Sequence, residues 1–178
     1  MNKKFLLASL FGSSIILFAC GGSSEDDPVV DTAKSVFVES LSGTSWEREC
    51  YPVYDGATLR AYNNSTLSIN STLQVTYNVE LFAVADTTCN SLMQNVSFTS
   101  QFAITDKIIS DESIETYGIN SVFVDSPDIT EMASTYSLIY IDGENLHLGV
   151  NSGTNLGDSP ETRHSSISLD DYFSKVLN

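Results

Sequence analysis

Apolar and polar side chains alternate along much of the chain. Within residues 73–84, every second position of one stretch is apolar: Val75, Tyr77, Val79 and Leu81. Residues 96–104 repeat the pattern with Val96, Phe98, Phe102 and Ile104. A period of two places such side chains on one face of a β-strand. Phe82 breaks the period, so we expect the register to shift there or the strand end to be covered.

Further segments extend this all-β pattern. Residues 136–141 and 146–150 predict a hairpin, because the Asp142-Gly143 pair between them favours a tight turn. Other candidate strands cover residues 45–52, 57–62, 65–69 and 113–124. About eight antiparallel strands predict a barrel or a sandwich, and closure into a barrel leaves no edge strand exposed. We therefore expect an antiparallel up-and-down β-barrel.

Two short elements are predicted at the ends of the domain. Residues 35–41 predict a strand or a helix that leads into the fold. Near the C-terminus, Ser168 is a favourable helix cap, and Asp170 and Asp171 would lie in a first turn, where the helix dipole favours acids. One apolar stripe would then contact the barrel: Leu169, Tyr172, Phe173 and Val176. This pattern predicts a short C-terminal helix.

The N-terminus forms a separate unit. Two lysines within the first four residues precede an apolar run over residues 5–18, which is shorter than the ~20 residues that cross a bilayer. The run therefore predicts a secretory signal. It ends in Leu17-Phe18-Ala19-Cys20, which resembles a bacterial lipobox. The resemblance implies that residues 1–19 are removed and that Cys20 is acylated; the alternative is an ordinary cleaved signal with a cysteine at the cut.

Residues 20–34 predict a flexible tether between the membrane anchor and a single domain at residues 35–178. The sequence GGSSEDDPVVDTAK after Cys20 consists of small and acidic residues and offers little to bury. Its three consecutive acids, at 25–27, are better explained as a solvated spacer than as a cation site. Acyl chains on Cys20 would hold the protein on a membrane. By the lipoprotein sorting pattern, Gly21 after the cysteine favours the outer membrane.

Net charge restricts the partners of the protein. The chain has 178 residues, with 8 Lys and Arg against 23 Asp and Glu, and its formal net charge is -15. This acidity argues against binding to nucleic acid and against electrostatic docking on an anionic membrane, because both require clustered basic residues. We therefore expect membrane attachment through acyl chains and no nucleic-acid partner.

Two cysteines remain after Cys20. Cys50 and Cys89 form an even pair in an exported chain, which predicts a disulfide. The alternatives are two free thiols or half of a metal site. Neither His147 nor His164 stands at ligand spacing from a cysteine, so we expect no metal and no cofactor.

The segment Leu41-Ser42-Gly43-Thr44-Ser45-Trp46, with Cys50 four residues beyond it, resembles the opening of lipocalins and of the wider calycin group. Two residues separate its glycine from its tryptophan, one more than lipocalins usually show. The likeness extends over residues 40–165 to small bacterial lipocalin-like lipoproteins, most of which have no assigned activity. It implies an eight-stranded barrel whose closed end holds Trp46, with Arg163 packed across that ring in a cation–π contact. The alternative for Arg163 is a surface charge.

Several aromatic residues on the predicted strands are candidates to line the interior of such a barrel. They are Tyr77, Phe98, Phe102, Tyr136 and Tyr140. Around a hollow lumen they would bind an apolar ligand. The alternative is that side chains simply fill a small barrel.

Catalytic motifs are sparse in this sequence. His164-Ser165-Ser166 has the residue types of a hydrolase site, but no nucleophile-elbow motif accompanies it. His147 lies between two leucines on a strand, and we expect it to face solvent. The Asp- and Asn-rich stretches 125–128 and 151–158 are expected to be turns rather than calcium sites. We therefore expect no enzymatic activity and no catalytic residues.

Together these patterns predict a membrane-anchored envelope lipoprotein with a structural or interaction role. Its expected partners are a small hydrophobic ligand or an envelope protein. The alternative is a dedicated lipocalin-type carrier of an apolar ligand, and a hydrolase is the third interpretation. A hollow apolar lumen favours the carrier, whereas a filled lumen favours the structural role.

Overall fold

The computed structural model describes residues 31–177. Within these residues, one helix, α1 (Thr32–Leu41), precedes nine strands. The strands are β1 (Thr44–Asp55), β2 (Thr58–Ile69), β3 (Gln74–Phe82), β4 (Leu92–Ile109), β5 (Glu115–Asp125), β6 (Thr135–Asp142), β7 (Asn145–Val150), β8 (Ser166–Ile167) and β9 (Phe173–Lys175). The predicted signal peptide, the lipidation site at Cys20 and residues 20–30 of the predicted tether lie outside the described residues.

Eight of the strands close into an antiparallel barrel. The hydrogen-bonded order is β6-β5-β4-β3-β2-β1-β9-β7, and β6 also pairs with β7, which completes the ring. The short strand β8 pairs with β7 alone. Closure gives every strand of the ring two neighbours, so no long edge is left unpaired. The predicted all-β, up-and-down barrel of about eight strands is confirmed.

Strand register explains the alternation seen in the sequence. Trp46 lies opposite Leu67, Leu67 opposite Tyr77, and Tyr77 opposite Phe98. Side chains at paired positions share one face of a sheet, so this row of residues faces the barrel interior. The expected irregularity at Phe82 is present, since the register shifts between Leu81 and Phe82.

Helix α1 leads into the barrel and packs against its core. Asp31 caps the helix by accepting a hydrogen bond from the Lys34 backbone N–H at 3.1 Å. The Phe37 ring stacks on Tyr117 with centroids 4.4 Å apart, and Leu41 is fully buried. The predicted strand or helix at residues 35–41 is therefore a helix, and it starts within the last residues assigned to the tether.

The predicted C-terminal helix is wrong, because residues 173–175 form strand β9. Phe173 pairs with Leu146 of β7, and Lys175 pairs with Trp46 of β1. This strand fills the gap between β1 and β7 and so completes the barrel. Pairing on both sides of a three-residue strand outweighs the weak local preference for a helix.

The expectation that His147 faces solvent is also wrong, since only 2% of the residue is exposed. The segment after β8 covers the outer face of the sheet at this point. The His147 imidazole Nδ1 lies 3.0 Å from the Ser168 carbonyl oxygen. Its ring also contacts Tyr140 and Tyr172, each with a centroid separation of 5.8 Å.

The predicted disulfide is confirmed. Cys50 and Cys89 are bonded, with their Cα atoms 5.6 Å apart. The bond ties the connection between β3 and β4 to an irregularity in β1, where the register shifts between Arg48 and Tyr51. The Cys50 backbone N–H donates to Asn64 Oδ1 at 2.8 Å, which satisfies a donor that the irregularity removes from the ladder.

Helices of membrane-spanning length and hydropathy do not occur within residues 31–177.

Candidate functional site

The barrel interior is divided into a filled region and a hollow region. The filled region consists of fully buried apolar side chains, mainly Leu41, Trp46, Leu67, Ile69, Val75 and Leu146. The hollow region contains three adjoining cavities, which we name inner, middle and outer. Because interior positions recur every second residue, one strand contributes to both regions: Trp46 lies in the filled region and Arg48 in the hollow one.

The inner cavity has a volume of about 190 Å³. Its apolar walls include Tyr77, Phe98, Phe102, Ile119, Met132 and Leu148. The Tyr77 and Phe98 rings stack with centroids 4.6 Å apart, and Phe102 meets Tyr77 edge-on at 6.4 Å. Burial raises the pKa of Tyr77, so its hydroxyl stays protonated. Three serines add hydroxyl groups to the wall: Ser100, Ser121 and Ser137.

The middle cavity has a volume of about 300 Å³ and adjoins the inner one. Tyr77 and Leu148 line both cavities and so form the partition between them. An outer cavity of about 560 Å³ continues past the middle cavity, and Arg48, Asn63 and Asp171 line both of these. The middle and outer cavities each fall within the range of about 300–1,000 Å³ that is typical of pockets that bind small molecules.

An ion pair forms one wall of the middle and outer cavities. Arg48 Nη1 lies 2.5 Å from Asp171 Oδ1, and Tyr51 Oη donates to Asp171 Oδ2 at 2.9 Å. The Arg48 guanidinium also lies 4.0 Å from the Tyr51 ring centroid and 4.5 Å from that of Phe173. Burial, followed by the hydrogen bond to Asp171, raises the pKa of Tyr51. Arg48 and Asp171 therefore neutralise each other inside a largely aromatic frame.

Two buried polar atoms in this wall lack a hydrogen-bond partner: Arg48 Nε, which is a donor, and Asn63 Oδ1, which is an acceptor. Asn63 as a whole is only 9% exposed. Nearly all buried polar groups in folded proteins are paired, because an unpaired one has lost its hydration without compensation. Arg48 and Asn63 line the same two cavities, so an unpaired donor and an unpaired acceptor lie side by side in the cavity wall.

The structure places three of the five aromatic candidates on the wall of one cavity. Tyr77, Phe98 and Phe102 line the inner cavity. The prediction is wrong for Tyr136 and Tyr140, because interior positions on β6 are the odd-numbered ones, such as Ile139, which pairs with Leu148. Tyr140 instead lies beside His147 on the outer face.

Trp46 is buried in the filled region, where only 1% of it is exposed. Its indole Nε1 donates to Thr44 Oγ1 at 2.8 Å. The cation over its ring is Lys175, at 5.7 Å from the centroid, and not Arg163. Lys175 lies on β9, which the sequence pattern had predicted to be a helix.

The predicted contact between Arg163 and Trp46 is wrong, because Arg163 lies on the outer face of the barrel. It donates hydrogen bonds to the backbone oxygens of Ile119 and Ser137 at 2.6 and 3.0 Å. A further bond joins it to Asn120 Oδ1 at 2.7 Å. Burial lowers the pKa of the Arg163 guanidinium from its ordinary value. Arg163 thus fastens the C-terminal segment across β5 and β6.

His164 meets a serine, but not the neighbours proposed for a hydrolase site. Ser137 Oγ lies 3.0 Å from His164 Nδ1 and also donates to the Gly149 carbonyl oxygen at 3.3 Å. Within residues 31–177, no carboxylate is hydrogen-bonded to the His164 ring. The serine–histidine contact holds the C-terminal segment against β6.

Among residues 31–177, no group of three or more His, Cys, Asp or Glu side chains is arranged to hold a metal ion.

Three residues of the wall shared by the middle and outer cavities were not predicted from the sequence: Arg48, Asn63 and Asp171. Two of them could have been recognised from the period of two. Arg48 lies two residues after the buried Trp46 on β1, and Asn63 lies on the same face of β2 as Leu67. Polar residues at positions that should be apolar are a mark of a functional interior.

No known protein family matches this sequence, and comparison with curated proteins and with solved structures finds no similar one.

Proposed function

We propose that this protein is a lipid-anchored protein of the bacterial cell envelope that binds a small, mostly apolar molecule inside its barrel, without chemical conversion. The observation that carries the proposal is the pair of adjoining cavities that share Tyr77 and Leu148. A barrel that served only as a rigid module would gain stability by filling this space, since interiors are normally close-packed.

The inner cavity supports binding of an apolar group. Its aromatic and aliphatic walls would remove the ligand from water, and each buried methylene group contributes about 0.8 kcal/mol. The serine hydroxyls at Ser100 and Ser121 add polar contacts without adding charge. Such a site favours an uncharged or weakly polar ligand body.

The placement in the envelope rests on the sequence. The lipobox-like segment ending at Cys20 implies an acylated N-terminus, and two or more acyl chains suffice for stable anchoring. The chain also resembles bacterial lipocalin-like lipoproteins in its opening motif, and an eight-stranded antiparallel barrel is compatible with that resemblance. We propose the outer membrane as its site because Gly21 follows the cysteine.

Native mass spectrometry of the full-length protein, extracted from its own host, tests the binding function. We expect the protein to carry a copurified small molecule. The variant Ser121→Phe places a large ring in the inner cavity and should lose that molecule. Val122→Phe is the matched control, because Val122 is 51% exposed on the outer face of the same strand. This variant should keep the copurified molecule.

Two outcomes of this experiment would contradict the proposal. One is a bare mass for the wild-type protein. The other is a copurified molecule that survives in Ser121→Phe. Either result would return the protein to the structural or interaction role, with an envelope protein as its partner.

A further inference from the structure

We infer that the molecule bound in the barrel carries an uncharged polar group with both a hydrogen-bond donor and an acceptor, such as a primary amide or a hydroxyl. This group would lie between Arg48 Nε and Asn63 Oδ1. The inference rests on the proposed binding function and specifies the chemical class of its ligand.

The two open atoms belong to one site. Arg48 is on β1 and Asn63 on β2, two strands that pair directly, with Arg48 opposite Ser65 and Asn63 opposite Tyr51. Both residues line the middle cavity and the outer cavity. Both atoms are buried without a partner. Because each atom has almost no accessible surface of its own, a ligand group that pairs with both would enter between the two side chains and part them slightly.

Hydrogen-bond chemistry restricts the group. The Arg48 Nε–H requires an acceptor, so an ammonium group, which only donates, leaves it unpaired. The Asn63 Oδ1 requires a donor, so a carboxylate, which only accepts, leaves it unpaired. An amide or a hydroxyl satisfies both atoms at once.

Charge leads to the same conclusion. Asp171 already pairs with the Arg48 guanidinium and also accepts from Tyr51, so the wall presents no net charge to a ligand. An anionic ligand would lie close to the Asp171 carboxylate within a protein of net charge -15. The local repulsion and the overall field both disfavour an anion.

The apolar walls of the middle and inner cavities indicate where the apolar part of the ligand would lie. From the polar wall, the middle cavity leads to Tyr77 and Leu148, and beyond them lies the inner cavity with Phe98 and Phe102. The ligand is thus an amphipathic molecule whose apolar body points toward the stacked rings and whose neutral polar group stays at Arg48 and Asn63.

Three eight-carbon probes that differ only in their polar group test this inference: octanamide, octanoate and octylammonium. Their dissociation constants are measured by calorimetry on the full-length protein in lipid nanodiscs, and Ser121→Phe serves as the blank for partition into lipid. We expect octanamide to bind at least about tenfold more tightly than either charged probe, because only octanamide pairs both open atoms.

A substitution at the acceptor gives a second, independent readout. Asn63→Leu keeps the size of the side chain but removes the oxygen, and it should weaken octanamide binding by about tenfold. The protein should fold normally, since the change removes an unpaired buried atom. Asn78→Leu is the matched control: Asn78 is exposed on β3, and its replacement should leave octanamide affinity unchanged.

The outcomes separate the inference from the proposed function. Equal binding of all three probes, with no effect of Asn63→Leu, would keep the binding function but overturn the polar-group inference, and a bound water would then satisfy the two atoms. Absence of binding for every probe, with wild type and Ser121→Phe indistinguishable, would overturn the binding function and the inference with it.

Discussion

The filled and hollow regions of the barrel interior are built by the same strands in different ways. On β1 the interior side chain changes from Trp46 to Arg48 within two residues, and on β2 from Leu67 to Ser65 and Asn63. In the filled region, each side chain is apolar and fully buried. In the hollow region, cavities remain and two buried polar atoms stay unpaired.

The difference suggests a division of roles, in which the filled region stabilises the fold and the hollow region is left for a ligand. The filled region supplies apolar burial, which is the main favourable term in folding. The hollow region gives up packing and leaves Arg48 Nε and Asn63 Oδ1 unsatisfied, and both features cost stability. Proteins accept such costs where a site requires them. The hollow region is therefore where a ligand would recover free energy.

The largest difference between the regions should appear on truncation of an interior leucine. Leu67→Ala in the filled region should lower the free energy of unfolding by about 2–5 kcal/mol, because Leu67 is fully buried and leaves a cavity. Leu148→Ala is the matched change in the hollow region and should cost only about 1 kcal/mol, because Leu148 is partly buried and already borders two cavities. Urea unfolding followed by circular dichroism measures both. Equal losses would remove the distinction between the regions.

Removal of the disulfide should have the next largest effect. Replacing Cys50 and Cys89 together by alanine should lower the free energy of unfolding by about 2–4 kcal/mol, since the bond closes a long loop between residues 39 positions apart. We expect thermal unfolding to start at lower temperature while the signal of the buried Trp46 remains native-like below the transition. A double variant as stable as the wild type would contradict this account of the bond.

A smaller effect is expected at the ion pair of the hollow region. Asp171→Asn leaves Arg48 without its partner and should cost about 1–2 kcal/mol, less than a fully buried pair because the two side chains are 20% and 22% exposed. The same variant should gain affinity for octanoate, since an unpaired cation then faces the cavity. Asp170→Asn, at the exposed neighbouring position, should change neither stability nor binding. Unchanged octanoate affinity in Asp171→Asn would refute the neutral-wall interpretation.

The smallest effect on stability is expected at Glu112, which holds strand β8 from outside the barrel interior, and it should leave both interior regions intact. Glu112 accepts hydrogen bonds from Ser166 Oγ and from the Ile167 backbone N–H, and these lower its pKa from 4.5 to about 2. A carboxylate with a lowered pKa contributes stability that is present above pH 4.5 and is lost as the pH falls toward about 2. Glu112→Gln should reduce that acid dependence of unfolding, whereas Glu131→Gln, at an exposed position, should not. Identical pH profiles for both variants would disprove the assignment.

Much of the fold could be predicted because its signals are local. The period-two pattern around Val75 and Phe98 marks interior faces of strands, and the Asp142-Gly143 pair marks a hairpin, whose Gly143 adopts a φ of 61°. The disulfide followed from an even cysteine count in a chain whose sequence predicts export. These inferences need only neighbouring residues or simple counting.

The features that sequence reasoning missed depend on contacts between distant residues. Arg48 and Asp171 are 123 positions apart, so nothing in either neighbourhood indicates the ion pair. His147 is buried by a segment that begins about twenty residues later, and β9 is a strand only because β1 and β7 lie on either side of it. Tertiary context also decided that Lys175, and not Arg163, lies over Trp46.

The central claim is that a ligand enters the hollow region and leaves the filled region unchanged. Two side-chain nitrogens report on these regions separately: Arg48 Nε–H in the hollow one and the indole N–H of Trp46, the single tryptophan, in the filled one. A ¹⁵N NMR titration of the full-length protein with octanamide should shift the Arg48 resonance and leave the Trp46 resonance in place. A titration that moves neither resonance, or moves both equally, would contradict the account.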